Sequence, residues 1–458
     1  MIDIENIEEK TLTNESVHAP TLQQAFWYWL KLGFISFGGP AGQISIMHQD
    51  LVENKRWISE KRFLHALNYC MVLPGPEAQQ LAIYIGWLLH KTKGGIVAGG
   101  LFVLPSLLIL TALSYIYMRF GSLPAIAGIL YGIKPAVVAI VLFAAYRIGL
   151  RALKNRLLWS LAFMSFVAIT FLKLAFPIIV LTAALIGFIV HHYKPALFAD
   201  SAGHTASKQH YGKALIDDDT PPPAHAIFKL NKMIRLILMG ISIWLLGMLL
   251  IILYFGLDAT LTYMAWFFTK AALLTFGGAY AVLPYVFQGA VGQYHWLSAP
   301  QMMDGLALGE TTPGPLIMVV TFVGFVGGWT QPFLGPETAL MSAIIAAVMV
   351  TFFTFLPSFI FILVGAPLIE STQNNLHLTA PLSAITAAVV GVIMSLALFF
   401  ATQIFWPNGL VNNIWANIDW FACAATIFAA MLLFKFKWGT IQLIGIFAVL
   451  GLLHHILS

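Results

Sequence analysis

The side chains able to do chemistry in this sequence are few, and they cluster. Lys31 and Lys270 stand within apolar stretches, Glu77 and Glu310 are acids in similar settings, and Asn68, Gln79, Gln80, Thr311 and Thr312 add hydrogen-bonding groups close by. A lysine at the centre of a membrane span costs about 2.5 to 3.5 kcal/mol on insertion scales, so it faces a wet cavity or a counter-ion unless its stem carries the charge to the interface. Two such cations suit an anion, and amide or hydroxyl donors suit its oxygens. Each acid reads equally as a proton carrier or as a carboxylate capped by a helix end. His191, His192, His454 and His455 fall at the ends of apolar runs, where an interfacial role is the simpler reading.

The elements that must position these groups are marked by a repeat. Phe37-Gly38-Gly39 returns as Phe276-Gly277-Gly278 and Pro74-Gly75-Pro76 returns as Pro313-Gly314-Pro315, each 239 residues further on. The same offset pairs Lys31 with Lys270, Trp57 with Trp296 and Ser59 with Ser298, while Leu104-Pro105-Ser106 returns as Leu356-Pro357-Ser358 at an offset of 252. Lys134, beside Pro135, is a third intramembrane cation, but Thr386 stands at its corresponding position. Prolines remove backbone donors and clash with the preceding turn, so residues 63–90 do not read as one helix. Each Pro-Gly-Pro marks a re-entrant hairpin or a broken span. A helix that begins inside the membrane presents free N–H groups and the positive end of its dipole. Residues Glu77 to Gln80 and Leu316 to Val319 are therefore candidate anion donors, with Gly75 and Gly314 allowing close backbone approach. The simpler alternative is a kink in a packed helix.

Of 458 residues, 59% are hydrophobic and 9% charged, whereas about a quarter would be charged in a soluble domain. Several apolar runs reach the roughly 20 residues that cross a bilayer as helix, and the alternating pattern of membrane strands is missing. The sequence thus reads as an all-α integral membrane protein. Cys70 and Cys423 lack partners at metal-ligand spacing and read as small buried hydrophobes. No phosphate loop, nucleophile elbow or zinc helix motif occurs, so ATP drive, enzymatic turnover, a metal and a cofactor are not expected. The net charge of +5 sits mostly in loops, which argues for topology rather than nucleic-acid binding. Lys55, Arg56, Lys61, Arg62, Lys91 and Lys93 surround the first Pro-Gly-Pro, while the matching second-half loops have no basic residue. Under the positive-inside rule the halves are oppositely oriented. The expected organisation is a cytoplasmic tail (1–20), a first repeat (21–191), a flexible cytoplasmic linker (192–233), a linking helix (234–255) and a second, inverted repeat (256–458). With 40–52 and 279–293 taken as short crossings, two inverted-topology repeats with Pro-Gly-Pro-broken helices give about 13 spans.

Phe37-Gly38-Gly39-Pro40-Ala41-Gly42-Gln43, Trp57, the run from Phe63 to Cys70 and the run from Leu73 to Leu81, together with Phe276-Gly277-Gly278 and Pro313-Gly314-Pro315, resemble the chromate ion transporter family in its long, two-domain form. The resemblance covers nearly the whole chain apart from the tail and linker. It implies a multi-pass carrier of the bacterial inner membrane that exports chromate, a tetrahedral, sulfate-like dianion, and so confers chromate resistance. The second copy has Ala279 for Pro40 and Leu316 for Glu77, so the halves need not contribute equally to the site. Chromate or sulfate, uniport or proton coupling, monomer or homodimer, and carrier or anion channel stay open at this level.

Overall fold

The computed structural model describes residues 19–194, 197, 211–221, 223–371, 379–407, 409 and 417–457. Its regular elements are helices: α1 (Leu22–Ile35), α2 (Gly39–His48), α3 (Glu60–Cys70), α4 (Glu77–Phe120), α5 (Pro124–Ala152), α6 (Arg156–Thr170), α7 (Phe176–Tyr193), α8 (Leu230–Phe255), α9 (Thr260–Leu273), α10 (Ala279–Phe287), α11 (Ala299–Thr311), α12 (Val319–Thr330), α13 (Ala339–Ser371), α14 (Thr379–Phe405), α15 (Trp420–Phe434) and α16 (Thr440–Leu457). Seven of these are long and apolar enough to cross a membrane. One of the seven, α4, is in fact two arms. His90 (φ −133°, ψ 29°) and Lys91 (φ 57°, ψ −156°) leave helical geometry, and the chain reverses there. The arms then pack so closely that a Cβ on Gly86 would stand 2.6 Å from that of Ala98.

The sequence repeat is a repeat of elements. Both α2 and α10 run into a π-helical turn, Gln49–Asn54 and Gln288–Gln293 respectively. The paired serines cap the next helix in each half: Ser59 Oγ accepts from the Arg62 N–H and Ser298 Oγ from the Gln301 N–H, each at 3.3 Å. Such caps satisfy donors that a helix start otherwise leaves bare.

Residues 40–52 and 279–293, expected as short crossings, fall in α2 and α10 and the π-helical turns that continue them, 39–54 and 279–293. Each of these runs is shorter than the roughly 20 residues that cross a bilayer as helix. The chain after each turn comes back beside the preceding helix. Tyr28 on α1 meets Trp57 with ring centroids 5.2 Å apart, and the equivalent Phe267 meets Trp296 at 5.5 Å. The α3 helix and the first arm of α4 form a second hairpin, matched by α11 and α12. In each half the two hairpins are followed by long crossing helices.

Opposite orientation of the halves is visible in the contacts at both faces. Arg62, at the start of α3, pairs with Glu370 at the end of α13 at 3.4 Å. At the other face Tyr117, at the end of α4, donates to Asp304 on α11 at 3.0 Å. The end of each long helix therefore meets the hairpin base of the other half. The outer helices are exchanged in the same way: α15 and α16 pack on α5, α6 and α7 pack on α14, and α5 packs on α14. Gly132 lets α5 approach Phe447 and Gly451, and Gly391 lets α14 approach Ala162.

The expected flexible linker is docked over 211–221 and 223–229. Ile216 forms a parallel bridge with Ile58, Ser59 donates to Asp218 Oδ1 at 2.6 Å, Arg62 donates to the Thr220 carbonyl, and His225 Nε2 bonds the Trp87 carbonyl at 3.0 Å. Ile216 and Ala226 are buried in the first-half core. The polar composition concealed these two apolar anchors and the strand-like backbone pairing. Residues 195–196, 198–210 and 222 of the expected linker lie outside the described residues, as does most of the tail.

Candidate functional site

Four hairpin tips meet at the centre: the Phe-Gly-Gly and Pro-Gly-Pro tips of each half. Gly75 and Gly314 adopt φ of +132° and +101°, open to glycine and strained for other residues. This geometry aims their N–H groups across the repeat boundary. The Gly75 N–H donates to the Thr275 carbonyl and the Gly314 N–H to the Ser36 carbonyl, both at 2.8 Å. Ser36 and Thr275 are repeat equivalents, so the two bonds are one contact made twice about a pseudo-twofold axis. Each hydroxyl turns back onto its own helix, Ser36 to Leu32 at 2.6 Å and Thr275 to Ala271 at 2.7 Å. Their carbonyls are thereby left for the other half.

The Leu-Pro-Ser repeats complete the crossing. A Cβ on Gly314 would stand 2.8 Å from that of Ser106, and one on Gly75 would strike the Ser358 hydroxyl. Each serine thus lies against the Pro-Gly-Pro glycine of the opposite half. Gln43 Nε2 donates to the Gly314 carbonyl at 2.5 Å and to that of Ser36 at 3.2 Å, and Gln80 Nε2 donates to the Pro74 carbonyl at 2.8 Å.

Around these bonds lies an unusual set of polar atoms. Ser106 Oγ, Ser358 Oγ, both amide atoms of Gln79, and the Oε1 atoms of Gln43 and Gln80 are buried without a hydrogen-bond partner. Ser106, Gln43, Gln79 and Gln80 are 0% exposed and Ser358 is 1% exposed. Buried polar groups in folded proteins are nearly always paired, and each orphan costs on the order of 1 to 3 kcal/mol. Six such atoms on five residues at one crossing carry a cost that a polar ligand would offset. Pro76 caps α4 without a side-chain hydrogen bond, so the first N–H groups of that helix point into the same region, as do those that follow Pro315.

Not every residue singled out from the sequence is brought here. Gly75, Gly314, their flanking prolines (Pro74, Pro76, Pro313, Pro315), Gln79 and Gln80 are at the crossing, with half-buried Glu77 opening α4. Phe37, Gly38 and Gly39 turn the α1–α2 tip, and Phe276, Gly277 and Gly278 turn the equivalent tip, where Gly277 faces Thr386. Lys31 is exposed on α1, and Lys270 places its ammonium over the exposed Trp266 ring at 5.7 Å, so both lysines point outward. Glu310 accepts the Tyr280 hydroxyl, which ties α11 to α10. Thr311 and Thr312 bond the Leu308 and Gly309 carbonyls at 2.8 and 3.0 Å and finish their own helix. Asn68 is half-buried on α3. Sequence reasoning missed Gln43, Ser106, Ser358 and Asp304. The serines had a signal in the repeated Leu-Pro-Ser; Gln43 had none from the repeat, because Val282 stands at the equivalent position.

The family model described as chromate transporter matches residues 23–188 and 262–452. A chromate transport protein of Pseudomonas aeruginosa is 33% identical over 430 residues, covering 93% of this chain and 90% of that protein. A chromate transport protein of Cupriavidus metallidurans is 31% identical over 392 residues, 85% of each. An uncharacterized transporter of Bacillus subtilis, YwrA, is 29% identical over 129 residues, which is 28% of this chain and 72% of that protein. No solved structure matches the chain. The two matched regions fall on the two sets of hairpins that build the crossing, and with them this multi-pass, all-helical membrane protein belongs to the chromate transporter family.

Proposed function

We propose that this chain is a secondary transporter that moves chromate, or a tetrahedral oxyanion of the same class, out of the cytoplasm, and that the crossing of the four tips is its binding site. The observation that carries this reading is the cluster of unpartnered buried polar atoms on Gln79, Ser106 and Ser358, set beside two helix starts. A tetrahedral dianion presents four oxygens that accept hydrogen bonds. The two serine hydroxyls and the Gln79 amide donate to it from different sides, and the helix starts at Glu77 and Leu316 add N–H groups and the positive ends of their dipoles. Inverted repeats with discontinuous helices meeting at mid-membrane are the architecture of carriers that rock around a central site. The reciprocal Gly75 and Gly314 bonds close the crossing, which supports a carrier over a channel. Chromate resistance of a bacterial cell that holds the protein in its inner membrane follows from export. No reaction on the oxyanion is needed, in keeping with the transport proteins among the relatives.

The test is flux of radiolabelled chromate and sulfate in proteoliposomes of purified protein. The expected result is saturable chromate flux that oxyanion on the far side stimulates. Continuous conductance would point to a channel, and flux indifferent to both oxyanions would remove the reading.

A further inference from the structure

Two charge pairs, each with a buried carboxylate and a partly buried cation, lie outside the crossing, one toward each face, and the repeat places them in correspondence. Toward the face where the linker docks, Arg62 on α3 pairs with Glu370 on α13 at 3.4 Å, with side chains 12% and 8% exposed, and the Tyr84 hydroxyl donates to Glu370. Toward the other face, Lys134 on α5 approaches Asp304 on α11 at 3.7 Å, with side chains 25% and 5% exposed, and the Tyr117 hydroxyl donates to Asp304 at 3.0 Å. The residue equivalent to Tyr117 is Ile369, beside Glu370, and the residue equivalent to Asp304 is His65, one turn from Arg62. Each assembly therefore joins the base of one half's hairpin to a long helix of the other half. The charges are not copied: Gln301 stands at the position of Arg62 and Thr386 at that of Lys134. The packing of a repeat thus does not itself demand these charges.

We infer that Arg62–Glu370 and Lys134–Asp304 are the inner and outer gates of the pathway, and that Arg62 and Lys134 each take up the oxyanion in passing, in exchange for the carboxylate. This rests on the oxyanion reading of the crossing. The physical argument is one of replacement. Moving the two halves apart at either face must separate that face's pair, and a buried charge left alone is costly. A dianion arriving at the cation replaces the carboxylate, so the face opens with substrate and resists opening without it. Arginine presents a planar fork that holds two oxygens at once, and lysine a compact charge with three donors, so both suit a tetrahedral oxyanion. Asp304 Oδ1 has no hydrogen-bond partner, so the outer pair is held through one carboxylate oxygen and is the weaker of the two.

Full-length protein carrying Leu316→Cys as its single cysteine, with Cys70 and Cys423 replaced by alanine, reports on both gates in sealed vesicles of either orientation. A membrane-impermeant thiol reagent is applied to one face at a time. Glu370→Gln and Asp304→Asn keep the shape of the side chain and an oxygen to accept the tyrosine hydroxyl. Glu370→Gln is expected to speed labelling from the linker face at least about tenfold with little change from the other, and Asp304→Asn to do the reverse, since each removes one charge of a buried pair. Arg62→Gln is expected to raise the KM for chromate several-fold more than it lowers Vmax. Equal changes at both faces, or none, would overturn the gates; an unchanged KM would overturn the exchange at Arg62. If Glu370→Gln fails to reach the membrane, Arg62→Gln, which removes the other charge of the same pair, provides the comparison from the linker face. Labelling requires no oxyanion, so sided labelling together with absent chromate flux in the unmodified protein would overturn the transport reading and leave the gates standing.

Discussion

At the scale of residues, the serines of the crossing separate a structural role from a binding one. A buried hydroxyl without a partner weakens the fold, so Ser106→Ala and Ser358→Ala should leave the melting temperature unchanged or raise it slightly. If the hydroxyls hold the oxyanion, each substitution removes a hydrogen bond to a charged group, about 1.5 to 3 kcal/mol, or roughly ten- to hundredfold in chromate affinity. Stability and chromate KM measured on the same preparations decide it: lowered stability with unaltered KM would assign the serines to packing. The sequence allowed the Pro-Gly-Pro glycines to be read as turning points because few other residues tolerate their backbone geometry. It did not disclose that Lys31 and Lys270 face outward, since a lysine within an apolar run looks the same whether its stem points to the axis or to lipid. Gln43 was illegible as a site residue for a different reason: it bridges two tips from a position that is not repeated.

At the scale of elements, paired punctuation was a sound guide to where helices start and stop. Ser59 and Ser298 cap equivalent helices, and Trp57 and Trp296 close equivalent hairpins, because the same short-range chemistry acts in each half. Whether a helix crosses or returns depends on its length and on what lies beside it, and the apolarity of 279–293 discloses neither. The linker was misread for the converse reason. Its docking rests on few residues, so one change should release it. Ile216 is 8% exposed and sits in the first-half core, where a carboxylate would be buried without a partner. Ile216→Asp should cost several kcal/mol of docking energy and accelerate tryptic cleavage after exposed Lys213 by at least about tenfold, while α8 and the crossing remain folded. Cleavage at the unmodified rate would mean that the backbone pairing with residues 56–59 suffices to hold the segment.

At the scale of the whole molecule, function depends on how a charge crosses the membrane rather than on any one contact. Moving one charge through the membrane potential is worth about 2.3 kcal/mol per 100 mV, so a dianion leaving an inside-negative cell gains about 4.6 kcal/mol per 100 mV, roughly three decades of concentration. That is ample drive for export without a coupled ion. On the proposed carrier reading, inverted halves meeting in one pseudo-symmetric crossing would present the site to either face by the same motion run in opposite senses, with voltage setting the direction. Glu310 is held by Tyr280 within the second half and is not needed as a proton carrier on this account. Chromate efflux from proteoliposomes should therefore persist when the pH gradient is collapsed at constant voltage, should steepen as the interior is made more negative, and should survive Glu310→Gln. Uptake of the same dianion against that voltage would require at least two accompanying cations to cancel the penalty. Efflux that stops when only the pH gradient is removed would instead make proton movement an obligatory part of the cycle, with Glu77 at the start of α4 as the acid best placed to carry it.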